Sequence, residues 1–193
     1  MANNRDKLIQ ASALLFMKYG FHGTSLDVIL KSADVARSNF YYHFDSKDSL
    51  AVAVTDFWIE DYDTNLIEPV MTSGLSAMDT LIQLYTRASR TQGDSGDLIG
   101  CPLGRLSSEL AAEMPPVQDR LNRYFNSVQE RICAVLLDDD SIDIDSAKAK
   151  RFARLAVATL EGGLLLSGLR SNPDDVLQPG LTLVEVFKTS LTG

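Results

Sequence analysis

The sequence predicts an all-α protein of nine helices, and three observations carry that reading. Apolar residues recur at helical spacing in segment after segment, and no run alternates with the period of two that a half-buried strand needs. The punctuation belongs to helices: Asn, Ser, Thr and Asp stand where helices would start, Gly and Pro where they would stop. Residues 24–50, T-S-L-D-V-I-L-K-S-A-D-V-A-R-S-N-F-Y-Y-H-F-D-S-K-D-S-L, break into short helices around one tight bend. A chain of 193 residues, 45% of them apolar, suffices for one domain or two small ones with a packed core.

The elements follow in order. Asn3 or Asn4 can cap a first helix with Leu8, Ile9, Ser12, Leu15, Phe16 and Tyr19 along one face and Gly20 as its stop. Thr24 and Asp27 have the T-x-x-D spacing of a capping box, which starts a second helix at Ser25; Leu26, Ile29 and Leu30 form its apolar stripe. Asp34 takes the bend, since Asp is among the few non-glycine residues that tolerate a left-handed turn position. A third helix over about 35–42 puts Phe40 and Phe44 on one side and Arg37, Ser38 and Tyr41 on the other. The first side suits a core. The second, with no carboxylate, suits base edges and phosphates. Together these make a helix-turn-helix, which implies a DNA-binding regulator.

Asp45 or Ser46 opens a fourth helix that passes Phe57, Trp58 and Tyr62 and reaches about Glu68, with Pro69 and Gly74 marking its end. Ser76 and Asp79 repeat the capping-box spacing for a fifth helix to about Arg90. Residues 91–100 read as a loop, a short sixth helix follows Pro102, and Pro115–Pro116 separates it from a seventh. Val117, Leu121, Tyr124, Val128, Ile132 and Val135 mark the buried stripe of that seventh helix. The acidic run D-D-D-S-I-D-I-D, 138–145, reads as a solvated loop, because it lacks the glycine and spaced glutamate of a calcium loop. The eighth and ninth helices cover about 146–170 and 174–191.

Composition narrows the function. The polar N-terminus is unlike a signal peptide, and no apolar run reaches the roughly 18 residues of a membrane span, so no membrane partner is expected. Two cysteines are no disulfide framework, and the cytoplasm is the expected compartment. The net charge of −8 looks wrong for a DNA binder, but residues 1–50 carry six basic and five acidic groups, a net of +1. The acidity lies elsewhere and discourages non-specific contact with nucleic acid. His22 and His43 are the only histidines, and there is no nucleophile elbow, P-loop or metal-ligand cluster. No catalytic set, metal or cofactor is expected.

At residues 5–55 the chain resembles the N-terminal DNA-binding domain of the TetR family of bacterial transcriptional repressors. Four features carry the resemblance: a leading helix ending Y-G-F, the T-S start of the second helix, the F-Y-Y-H-F run and the S-K-D-S-L start of the fourth. Asp34 stands where the family usually has Gly, and Ala36, a poor N-cap, where it usually has Ser or Thr. The resemblance implies a helix-turn-helix domain over 1–50 and a ligand-binding and dimerisation domain over 51–193. It implies that Arg37, Ser38 and Asn39 meet bases in the major groove, and that Thr24, Ser25, Tyr41, His43 and Lys47, with Tyr42 beside them, hold phosphates. The implied partners are palindromic operator DNA, a small organic effector and a second copy joined through the last two helices. Trp58, Tyr62, Tyr85, Cys101, Leu103, Tyr124 and Phe125 are the aromatic and soft groups that would line the effector pocket.

Two positions stay open. G-C-P-L-G-R-L-S-S-E-L-A, 100–111, is similar to a motif in a subgroup that responds to small organic molecules, some members sensing electrophiles through a cysteine at this place. Cys101 before Pro102 is either such a sensor or a buried small hydrophobe; a lysine that some sensing relatives carry has no counterpart at Ser167, Gly168 or Leu169. Glu161 is the only charge in 155–169, beside Gly162 and Gly163, and must be paired or solvated at an interface, a pocket rim or a ligand. The competing class is a helical binding protein or enzyme with a degenerate helix-turn-helix. The intact set Arg37, Tyr41, His43 and Lys47 argues against it.

Overall fold

A computed structural model describes residues 3–94 and 100–191, and these are helices and their connections with no strand among them. In order they are α1 (Asn4–Tyr19), α2 (Leu26–Ala33), α3 (Arg37–His43), α4 (Lys47–Tyr62), a π-helical turn (Asp63–Ile67), α5 (Glu68–Met71), α6 (Ala77–Asp94), α7 (Pro102–Leu110), α8 (Pro115–Leu137), α9 (Ser146–Arg170) and α10 (Asp174–Leu191). Since α4, the π turn and α5 form one uninterrupted run, the described residues hold nine helical rods. Contacts divide the chain into two compact units, Met1–Asp61 with Pro102–Asn122, and Tyr62–Cys101 with Arg123–Gly193. The division by contact thus falls at Asp61 and adds α7 and the start of α8 to the N-terminal unit.

In the first unit, α1 begins where Asn3 accepts the Asp6 N–H and ends at Gly20, whose φ of 77° needs glycine. Its buried face is Leu8, Ile9, Ser12, Ala13, Phe16 and Met17. Tyr19, expected on that face, is exposed, because a straight helix drifts away from a strict seven-residue repeat. The second helix starts one residue later than the capping-box spacing predicts. Ser25 is its N-cap and accepts the Val28 N–H, while the Thr24 hydroxyl turns inward and donates to the Gly20 carbonyl at 2.7 Å. Asp34 takes the left-handed bend at φ 52°, and Ala36 offers α3 no side-chain cap, both as expected.

The fourth helix differs from its expected course. It runs past the expected end at about Glu68: a π turn widens the coil just upstream, and the chain stays helical to Met71 before Gly74, one of the two residues expected to mark the end, turns it at φ 70°. Of the loop expected over 91–100, residues 91–94 instead extend α6 to Asp94, and residues 95–99 lie outside the described set. Gln92 explains part of this, because its buried amide accepts the Gly100 N–H and donates to the Gly100 carbonyl.

In the second unit α6, α9 and α10 pack on one another. Two glycines allow the approach. Gly163 lets the backbone of Asp175 and Val176 come within 3 Å of where a Cβ would sit, and the Tyr85 ring fills the Cβ space of Gly180. Phe152 and Phe187 stack at 3.6 Å between α9 and α10. Along α8 the stripe of Leu121, Tyr124, Val128 and Ile132 is buried as predicted, but it closes on Leu136 rather than Val135. By length and composition α9 could cross a membrane, contrary to the expectation that no run would qualify. Here its apolarity serves two faces, one packed on α6 and α10 and one left exposed.

Candidate functional site

The recognition surface stands on an aromatic corner. Phe40 and Phe44 are buried, their rings 5.8 Å apart, and this anchors a short helix that lacks a side-chain cap. With that side fixed, the 3.6-residue period points Arg37, Ser38, Asn39 and Tyr41 to solvent. Tyr42 is 82% exposed and stacks edge-on to the half-buried His43 at 4.8 Å. Ser25 lies exposed at the start of α2. Seven of the nine expected DNA-facing residues are therefore reachable without rearrangement, or nearly so.

Thr24 and Lys47 are engaged within the chain. Thr24 is buried and its hydroxyl is committed to α1, so the side chain itself is not free to hold a phosphate. Lys47 sits in the first turn of α4 but turns back, donating from Nζ to the Phe21 carbonyl at 3.0 Å and the Thr24 carbonyl at 3.1 Å, with the Phe21 ring 4.0 Å away. Its charge ties the turn before α2 to the start of α4, a structural task that spacing alone does not reveal.

A second set of polar contacts was missed in the sequence. Glu109 on α7 accepts the Phe21 N–H at 2.7 Å and the Arg105 Nε–H at 3.2 Å, while Arg105 donates to the Met17 carbonyl at 2.6 Å. The motif R-L-S-S-E thus ties down the C-terminal end of α1, and the Glu109 carboxylate occupies the space a Cβ at Gly20 would need. The i,i+4 spacing of Arg105 and Glu109 was a visible signal, though it did not name their target.

The expected pocket residues fall in both units. Trp58 and Leu103 belong to the first; Tyr62, Tyr85, Cys101, Tyr124, Phe125 and Glu161 belong to the second. Within the second unit, Cys101 hydrogen-bonds the largely buried carboxyl of Glu161. Tyr124 lies in the field of Asp63, Cys101, Glu161 and Arg131, with the Phe125 ring 5.6 Å from its own. Asp63, the first residue of the π turn, holds Arg131 through two contacts at 2.6 and 3.2 Å. Tyr85 departs from expectation: it is fully buried against Gly180, and its hydroxyl donates to the Ala156 carbonyl at 2.9 Å, which makes it a pillar of the core.

Burial pushes the Glu161 carboxyl above the ordinary carboxylate range, and the Cys101 hydrogen bond opposes that shift. Burial likewise raises the Tyr124 phenol, with Asp63 adding to it. For an acid whose folded pKa is raised, the folded state binds the proton more tightly. The contribution is therefore complete below the unfolded pKa and lost as pH rises through the folded one. Glu161→Gln should gain on the wild type in stability over that window and hold the gain above it. Denaturant midpoints measured from acid to mildly alkaline pH check this; parallel profiles would show that Glu161 is solvated.

Part of the exposed apolar surface lies on the last two helices. Leu155, Leu165 and Leu169 on α9 and Val186 on α10 are all more than half exposed, and Gly162 between them faces open space. Ala156, Gly163, Val184 and Phe187, on the same two helices, are buried inside the chain.

Known proteins agree with this architecture. Residues 8–54 match the description "Bacterial regulatory proteins, tetR family", and residues 76–178, more than half of the chain, match "Transcriptional regulator LmrA/YxaF-like, C-terminal domain". The HTH-type transcriptional regulator LmrA of Bacillus subtilis (strain 168) is 23% identical over 190 residues, covering 96% of this chain and 97% of its own. The biofilm operon negative transcriptional regulator IcaR of Staphylococcus aureus (strain Newman) is 35% identical over 131 residues, 60% of this chain and 69% of its own. A crystal structure of a TetR transcriptional regulator from Chloroflexus aurantiacus J-10-FL shares the fold at a TM-score of 0.84, with 22% identity over 96% of this chain and 94% of that one. The chain belongs to the TetR family of bacterial regulatory proteins, with a C-terminal domain of the LmrA/YxaF-like type.

Proposed function

We propose that this ligand-responsive DNA-binding regulator acts in the cytoplasm as a homodimeric repressor of a palindromic operator. The observation that carries the reading is the exposed face of α3, with Arg37, Ser38, Asn39 and Tyr41 standing on the buried Phe40 and Phe44. Arg37 is suited to the two acceptors of a guanine and Asn39 to adenine. Ser25, Tyr42 and His43 flank them as phosphate contacts, while Lys47 chiefly braces the corner. The DNA-binding part is residues 1–50, and residues 51–193 bind the effector and the second subunit.

The effector is a small, mainly apolar molecule with a hydrogen-bonding group that meets Glu161, Cys101 or Tyr124. The Cys101 thiol is buried and bonded to a carboxyl, an environment that disfavours a reactive thiolate, so we assign it to the pocket wall rather than to electrophile sensing. α7 starts one residue after Cys101 and carries Arg105 and Glu109, which cap α1. A ligand that binds the DNA-incompetent arrangement of the dimer better shifts the population toward it by its differential affinity.

Arg37→Ala is the test. It should weaken the operator by about 1–3 kcal/mol per half-site and broaden the tolerated bases. Fluorescence anisotropy on matched and mismatched duplexes measures both; unchanged affinity and unchanged preference would assign base reading to other residues.

A further inference from the structure

Arg37 is held from outside its own helix. Its guanidinium donates from Nη2 to Oδ1 of Asp27, an ion pair that joins α3 to α2 across the bend. The sequence spacing assigned Asp27 to a cap with Thr24. Ser25 makes that cap instead, and Thr24 turns into the end of α1, which leaves the Asp27 carboxylate free to reach Arg37. The carboxylate is 80% exposed and the guanidinium 52%, so burial does not drive them together.

An acid at this place needs a reason. Exposed ion pairs add little stability. A carboxylate on the DNA-facing side repels phosphates, and residues 1–50 have only one net positive charge to spare. Asp27 does suit the positive first turn of α2, but that role requires no partner on α3. What the contact supplies is direction. Arg37 is the first residue of a seven-residue helix whose N-cap, Ala36, makes no side-chain hydrogen bond. A long side chain there has many rotamers to lose on binding. The guanidinium carries five N–H donors in one plane. With one donor held by Asp27, the rest of the fork is presented in a fixed plane to the two acceptors of a guanine.

We propose that Asp27 is a specificity-determining residue that touches no base, its carboxylate fixing the plane in which Arg37 enters the major groove. The proposal rests on the reading of Arg37 as a base-reading residue. Removing Asp27 has two opposed consequences. Repulsion of phosphates is relieved, so every sequence should bind as well as before or better; Arg37 is released, so discrimination should fall. Neither a helix-capping role nor sequestration of Arg37 produces that combination.

The experiment compares the intact protein on two labelled duplexes at one salt concentration: a sequence recovered from a randomised pool by the wild type, and a scramble of it. Asp27→Ala should lower the ratio of the two affinities about tenfold, with the scramble bound at least as tightly as by the wild type. Asp27→Asn keeps an acceptor oxygen and should retain most of the ratio. Asp27→Ser, too short to reach the guanidinium yet compatible with a first helical turn, should match Asp27→Ala and covers the case in which alanine unsettles α2. In an Arg37→Ala background, Asp27→Ala should cause no further loss of ratio. An unchanged ratio, a raised ratio, or an equal loss with and without Arg37 would each overturn the proposal. If Arg37→Ala alone leaves the ratio intact, the reading of Arg37 fails and the proposal falls with it; if Arg37→Ala lowers the ratio and Asp27→Ala does not, the proposal alone fails.

Discussion

Tyr85→Ala is expected to lower the unfolding free energy by about 3–5 kcal/mol, the range for emptying a buried aromatic site. The ring is fully buried and fills the space that Gly180 leaves open on α10, while its hydroxyl reaches the Ala156 carbonyl on α9. One side chain from α6 therefore holds both neighbouring helices. Removal opens a cavity that backbone on two sides cannot readily collapse into. Tyr85→Phe separates the contributions: it keeps the ring, removes one hydrogen bond, and should cost about 1 kcal/mol. Urea unfolding at a single protein concentration is the appropriate measurement, because the stability of a dimer depends on concentration. A loss below about 1 kcal/mol for the alanine variant would mean that Tyr85 is not a pillar of this core.

Leu165→Asp combined with Leu169→Asp should abolish dimerisation and, with it, tight operator binding. The two residues lie one turn apart on the exposed face of α9, 70% and 77% exposed, in line with Leu155 and Gly162. A continuous apolar stripe of this kind marks an interaction surface, and a two-fold contact makes each substitution count twice. Because neither side chain supports its own chain's core, the helical fold should survive. Losing the link between half-sites turns the second binding event into an independent one, which weakens operator binding by about 10²–10⁴-fold. Sedimentation at micromolar protein and binding to the palindrome report the two effects. Variants that stay dimeric and bind normally would place the interface elsewhere.

The legible parts of this molecule were those encoded locally. The α9 and α10 bounds followed from long periodic runs with clear starts, and the bend at Asp34 and the missing cap at Ala36 followed from single residues whose conformational preferences are strong. The burial of Phe40 and Phe44 followed from helical spacing. Contacts across long sequence separations were not legible. Glu109 and Phe21 are 88 positions apart, and Arg131 and Asp63 are 68 apart; no local pattern encodes either pair. Competition among neighbours explains the smaller misses. Thr24 and Ser25 both suit an N-cap, and the hydrogen bond from Thr24 back to the Gly20 carbonyl left that place to Ser25. On α9, apolarity alone could not separate the face that meets α10 from the face left exposed: Ala156 and Gly163 are buried, Leu155 and Leu169 exposed.

Selection from a randomised DNA pool tests most directly whether α3 reads an operator. The purified protein, at physiological salt, should enrich a palindrome whose half-sites are spaced by about one helical turn or a small multiple, and its affinity should fall steeply with salt. Enrichment of no sequence above background, or of an unpaired half-site bound by a single subunit, would contradict it.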